Sequence, residues 1–129
     1  MYKRSIGLHE PNITGQEWKV VKSCINSTWI SSASKYVDQF EKKISQYTKS
    51  KYAIAINNCT SSLHLSLKLA GVSVGDEVIV PTVTFVAPIN AVLYNQANPV
   101  FMDIDKDFNI DIDKTCEFIE KKTFFKNGI

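Results

Sequence analysis

Lys51-Tyr-Ala-Ile-Ala-Ile-Asn-Asn-Cys-Thr-Ser-Ser-Leu-His64, running on through Gly71-Val72 and Gly75-Asp76-Glu77 to Val78-Ile79-Val80-Pro81 and Thr82-Val83-Thr84, decides the fold of this chain. Tyr52 to Ile56 is an apolar run of strand length. Asn57 to Ser62 is small and mostly polar, and a leucine-rich stretch follows until Gly71 closes it. Leu63, Leu65, Leu67 and Leu69 alternate as in a strand, whereas Leu63, Leu67 and Ala70 fit one face of a helix. Ser and Thr ahead of the run and Gly behind it are helix punctuation, and they decide for a helix. The polar cluster then lies at a strand end and at a helix N-terminus together. Unpaired N–H groups and the positive end of the helix dipole make such a place a cup for a phosphate. The residues alone equally allow Thr60 to Ser62 to be a plain helix cap. Cys59, a lone cysteine without a visible base, reads as a small hydrophobe and not as a nucleophile.

Outward from this stretch the pattern alternates. Thr14 followed by Glu17 reads as a capping box, and Trp18, Val21 and Ile25 share a face, which predicts a helix over about residues 15–25. Val37, Phe40, Ile44 and Tyr47 predict a second amphipathic helix after the interruption at Trp29-Ile30-Ser31-Ser32. Downstream, Val78-Ile79-Val80 is a short buried strand closed by Pro81, and Pro88 suits the first turn of a helix with Ile89, Val92 and Leu93 inward. Pro99 precedes a strand of Val100-Phe101-Met102, and Asp111 or Asp113 can cap a last helix carrying Cys116 and Ile119. Strands alternating with helices predict an α/β fold, a three-layer sandwich on a mainly parallel sheet. Three strands make that sheet thin, and Asn127-Gly128-Ile129 reads as a turn where another strand should begin, so the fold is expected to be incomplete.

The composition excludes more than it proposes. One domain is the default for 129 residues, and 44% hydrophobic content suffices for a core. A net charge of +2 with interleaved signs gives no drive toward nucleic acid or an acidic membrane. Cys24, Cys59 and Cys116 are odd in number and lack metal-ligand spacing, which argues for reduced thiols and against a disulfide scaffold or a metal site. Met1-Tyr2-Lys3-Arg4 is basic without a following apolar segment, and no run reaches membrane-spanning length. The expected location is the cytoplasm.

Thr60-Ser61, Asp76-Glu77-Val78-Ile79-Val80-Pro81, Thr84-Phe85, Asn90-Ala91-Val92, Pro99-Val100-Phe101 and Asp103-Ile104-Asp105, taken in order, resemble the DegT/DnrJ/EryC1 family of pyridoxal-phosphate-dependent sugar aminotransferases of fold type I. The resemblance begins at Leu8-His9-Glu10-Pro11 and continues through Glu17-Trp18-Lys19, Trp29-Ile30-Ser31-Ser32, Lys35-Tyr36-Val37-Asp38 and Phe40-Glu41, which is similar to the branch acting in legionaminic-acid-type pathways. It covers nearly all of residues 1–129, as the N-terminal portion of the family's large domain.

The resemblance implies roles position by position. Thr60 and Ser61 match the place where the family's helix N-terminus grips the cofactor phosphate, and Cys59 stands where the family usually has glycine. Phe85 matches the aromatic residue that stacks on the pyridine ring; without the resemblance it reads as ordinary core. Pro88 replaces a threonine frequent in the family. Asn90 and Trp29 match family positions of unassigned role, His64 reads as a structural histidine, and His9 has no assignment. The family's chemistry also needs a lysine that carries the cofactor covalently and a carboxylate paired with its ring nitrogen. No lysine here lies in a sequence resembling the family's lysine loop, and Asp103 and Asp105 match a different element, so no catalytic residue is assigned. The expectation is an inactive fragment of an enzyme that takes a nucleotide-linked 4-keto-6-deoxy sugar, glutamate as amino donor and a homodimeric partner. The alternative is a non-catalytic α/β module that binds a phosphorylated ligand or a protein.

Overall fold

The computed structural model describes residues 9–32 and 34–123. The Met1–Arg4 start, Leu8 and the Asn127-Gly128 turn lie outside the described residues. Two compact units divide the chain, Met1–Ala55 and Ile56–Ile129.

In the first unit the helical periodicity places α1 (Gln16–Asn26) and α2 (Lys35–Thr48). The entry to α1 realises the glutamate half of the expected capping box and not the hydroxyl half. Gly15 is the N-cap, in the left-handed region at φ 91°, and has no side chain to accept a bond. Glu17 folds back instead, accepting the N–H of Thr14 at 3.1 Å and of Gly15 at 2.8 Å, while the Thr14 hydroxyl donates to it at 3.2 Å. That hydroxyl, spent as a donor to Glu17, caps no amide. Hydrogen bonds from its own N–H and from that of Thr14 hold the Glu17 carboxyl below the usual carboxylate range. α2 is capped as a polar N-cap should be, the Ser34 hydroxyl accepting the Tyr36 N–H at 3.3 Å.

Tyr52 to Ile56 belongs to no strand, which corrects the sequence expectation. A strand is defined by its ladder, and an apolar run acquires one only beside a partner strand. Within the first unit the Ala55 N–H is satisfied by a side chain, the Glu41 carboxylate, at 2.8 Å.

The second unit carries α3 (Cys59–Leu69), β1 (Glu77–Pro81), α4 (Val86–Tyr94), β2 (Asn98–Met102) and α5 (Ile112–Lys122). β1 and β2 pair in parallel, with Glu77 opposite Asn98 and Pro81 opposite Met102. The described sheet therefore has two strands and not three. Side chains alternate across a strand, so Val78 and Val80 share one face and Ile79 and Pro81 the other. On the first face Val80 packs with Val92 of α4 and Ala97, and Leu67 of α3 and Ile89 close over them. On the opposite face Met102 is buried and shares a depression with Lys114 and Phe118 of α5. Helices thus border both faces, which is the expected layering on a smaller sheet. Val78, Ile79 and Val100 are half-buried, and the more exposed apolar surface is at Phe101, Leu69 and Phe85.

The amino ends of both strands are tied together. The Gly75 N–H donates to the Gln96 carbonyl at 3.0 Å and the Asn98 N–H to the Asp76 carbonyl at 2.7 Å, joining the segment after α3 to the segment after α4. Both helices therefore have their C-termini at the amino ends of the strands, and their N-termini point to the carboxyl end of the sheet.

Candidate functional site

That carboxyl end is where parallel α/β sheets place their ligands. Two helix N-termini reach it. Asn58 is the N-cap of α3, with extended backbone, and its side-chain oxygen accepts the Ser61 N–H at 2.8 Å. The Asn58 carbonyl accepts the Ser62 N–H at 3.1 Å. The Ser62 bond is the first intrahelical one, so of the N–H groups that a helix start leaves without such a partner the cap takes that of Ser61 and leaves those of Cys59 and Thr60 unused. The Thr60 and Ser61 hydroxyls flank them.

The charge pattern of this turn differs from that of three other helices. The first turns of α1, α2 and α5 each hold a carboxylate, Glu17, Asp38 and Asp113, whereas α3, like α4, has none. The positive end of its dipole is not answered from within its first turn, so an incoming anion meets no acidic side chain there. Cys59 takes a helical conformation and is absent from the positive-φ residues, so the side chain in place of glycine imposes no backbone strain at this point. Its thiol is free and exposed.

α4 contributes the second terminus. Phe85 is its N-cap and is 80% exposed, which corrects its reading as ordinary core. The four-residue connection Thr82–Phe85 leads directly from the end of β1 into α4 and leaves the ring largely exposed at the carboxyl end of the sheet. Pro88 sits in the first turn, where the missing N–H would have had no helical partner. Asn90, half-buried on α4, takes no part in a hydrogen bond recorded for its side chain. His64 is half-buried on α3, its ring edge-on to Tyr94 at 5.9 Å. Its carbonyl accepts the side-chain amide of Asn95, the C-cap of α4, at 3.3 Å. These contacts give His64 the structural role expected for it, and they lie toward the C-terminal end of α4, away from the Phe85 terminus.

Thr60 and Ser61 thus lie in the first turn of α3 and Phe85 at the N-cap of α4, two helices that pack against each other. Sequence reasoning missed Asn58, which sets the geometry of the turn; the signal was its position immediately before the helix, where Asn is a favoured cap. Among the described residues no group of His, Cys, Asp or Glu could hold a metal ion, and no helix is long and apolar enough to cross a membrane.

The sequence model of the DegT/DnrJ/EryC1/StrS aminotransferase family matches residues 11–129. This chain belongs to that family. As a member of it, the chain is 44% identical over 102 residues to a GDP-perosamine synthase of Escherichia coli O157:H7, covering 79% of this chain and 28% of that protein. It is 41% identical over 102 residues to the spore coat polysaccharide biosynthesis protein SpsC of Bacillus subtilis (strain 168), covering 78% of this chain and 26% of that protein. In structure it matches the Escherichia coli GDP-4-keto-6-deoxy-D-mannose-3-dehydratase with bound hydrated PLP, with a TM-score of 0.74, 26% identity, and coverage of 90% of this chain and 31% of that one. The family member described here thus spans about a quarter to a third of the length of these relatives. Fold type I, inferred from the sequence, is the fold of this structural neighbour.

Proposed function

We propose that this chain supplies the phosphate-gripping part of a pyridoxal-phosphate-dependent aminotransferase of nucleotide-linked 4-keto-6-deoxy sugars. The observation that carries the proposal is the first turn of α3: N–H groups at Cys59 and Thr60 that the cap leaves unused, hydroxyls at Thr60 and Ser61, and no carboxylate. That turn fits a phosphate dianion in size and sign. Thr60 and Ser61 would hold the phosphate, and Phe85, exposed at the same end of the sheet, would lie against the ring and keep water from its face. Bound there, the cofactor would supply the electron sink that amino-group transfer requires.

The substrate class rests on the relatives. A GDP-perosamine synthase name at 44% identity supports a nucleotide sugar, and the SpsC name supports a place in polysaccharide synthesis. Amino transfer is favoured over dehydration because the dehydratase is the more distant relative, at 26% identity. Glutamate as donor, a homodimer, a cytoplasmic location and the legionaminic-acid branch are parts of this proposal that rest on the sequence resemblance alone. So is the assignment of residues 1–129 to the N-terminal portion of the large domain.

The test is a titration of the chain with pyridoxal phosphate, followed by absorbance, beside one with pyridoxal. The phosphorylated form should bind more tightly, and Thr60→Leu with Ser61→Leu should weaken it by about ten-fold or more, as expected for lost hydrogen bonds to a charged group. Equal binding of the two forms, or no effect of the double substitution, overturns the assignment.

A further inference from the structure

The first unit holds an open concavity of about 300 Å³ lined by Ser27, Trp29, Ser34, Lys35 and Tyr36. Trp29 is 61% exposed, so its indole face is open to a ligand. Its placement is held by backbone: Thr28, just after α1, adopts φ 60°, and its carbonyl accepts the Ile30 N–H at 3.2 Å. A β-branched residue in the left-handed region is uncommon, and such strain is retained where surrounding structure or function requires it. On the other wall the Lys35 ammonium lies 5.0 Å from the centre of the Tyr36 ring, so a cation and two aromatic rings line one hollow.

A second, more open depression adjoins it, because Ser27 lines both. Lys19 and Lys22 of α1 line this neighbour. Among the described residues the two linings contain three lysines and no Asp or Glu. An aromatic hollow continuous with a basic shelf matches a ligand that is flat at one end and anionic at the other.

We propose that this concavity binds the nucleoside diphosphate portion of the nucleotide-linked substrate, the base stacking on Trp29 and the phosphates facing Lys35, Lys22 and Lys19. The assignment rests on the nucleotide-sugar reading above and adds where in this chain the nucleotide is recognised. Stacking is tolerant of base identity, whereas ammonium groups recognise the phosphates. A nucleoside alone binds weakly here, and pyrophosphate alone finds only the shelf.

The chain has two tryptophans, so Trp18→Phe leaves Trp29 as the sole indole reporter. In that background, excited beyond the absorbance of the base, GDP and UDP should each quench Trp29 fluorescence saturably. By calorimetry on the unmodified background, Trp29→Ala should weaken GDP at least about five-fold, the scale of one lost base–aromatic stack. Lys35→Gln should weaken GDP and leave guanosine unchanged. Absence of saturable quenching by either nucleotide overturns the proposal. So does GDP binding no tighter than pyrophosphate and indifferent to Trp29→Ala, or quenching that follows protein concentration instead of nucleotide concentration. Pyridoxal phosphate binding by the same preparation is scored separately. Cofactor binding without nucleotide binding sinks this inference alone, and nucleotide binding without cofactor binding sinks the aminotransferase reading while the pocket stands.

Discussion

The Asn58 side-chain oxygen takes the Ser61 amide at 2.8 Å and so decides which donors the α3 terminus offers to a ligand. The Ser61 backbone is engaged; its hydroxyl, and the amides of Cys59 and Thr60, are not bound by the cap. Asn58→Ala should remove the cap and destabilise the helix by about 1 kcal/mol, while Asn58→Asp should keep the cap and change stability little. Urea melts followed by circular dichroism check both. Asp at this position would also bring a negative charge to the anion cup, so phosphate-dependent cofactor binding should fall in Asn58→Asp although the fold does not.

Phe85 separates fold from function in the same way. At 80% exposure its ring contributes little to the core, so Phe85→Ala should change stability by no more than about 0.5 kcal/mol. Binding of pyridoxal phosphate should weaken, because the flat surface against the ring is lost, while binding of inorganic phosphate at α3 should not. A melt and two titrations measure this.

The core itself hangs on few side chains. Val92 is 1% exposed and packs with Val80 and Ala97 between α4 and the sheet. Val92→Ala should cost roughly 2 to 3 kcal/mol from lost burial and the cavity left behind. Val86, 54% exposed on the same helix, should tolerate Ala within about 0.5 kcal/mol. Equal losses at the two positions, measured by urea unfolding, would mean that the α4–sheet contact does not carry the stability of the second unit.

Where local chemistry determines structure, the sequence was legible. Gly71 and the small polar run marked α3 against the strand-like alternation of its leucines, because a polar cap and a terminal glycine act within one turn, although the cap is Asn58 and not a hydroxyl. Asp111 caps α5 as one of two expected choices, its carboxylate accepting the Lys114 N–H at 3.0 Å. Tyr52 to Ile56 was misread as a strand because apolarity and length specify a pairing surface but not the partner. Of the Thr14–Glu17 box only the glutamate half formed, because spacing cannot say whether a hydroxyl donates or accepts. Phe85, flanked by Thr84 and Val86, resembles core in composition, and only the turn from β1 into α4 reveals it as exposed. At the candidate site the residue types were readable, whereas the division of α3 amides between cap and ligand required coordinates.

Lys114 on α5 bridges back to the end of β2, its ammonium hydrogen-bonded to the Asp103 carboxylate and 3.7 Å from Asp111. That bond, helped by the Ile104 N–H, holds the Asp103 carboxyl below the usual carboxylate range and raises the Lys114 ammonium above its ordinary value. The signs then follow. A depressed carboxylate pKa stabilises the fold above the unfolded value, and this contribution fades as the pH falls through the lower, folded value. A raised lysine pKa stabilises below the unfolded lysine value and fades as the pH climbs past the folded one. Between the two windows, across neutral pH, the bridge is constant. Lys114→Met should move the Asp103 titration upward toward the ordinary range, read by carboxyl carbon NMR, with only a small change in stability near neutrality because both groups are well exposed. An Asp103 titration unmoved by Lys114→Met would show that the Ile104 N–H, and not the ammonium, sets it.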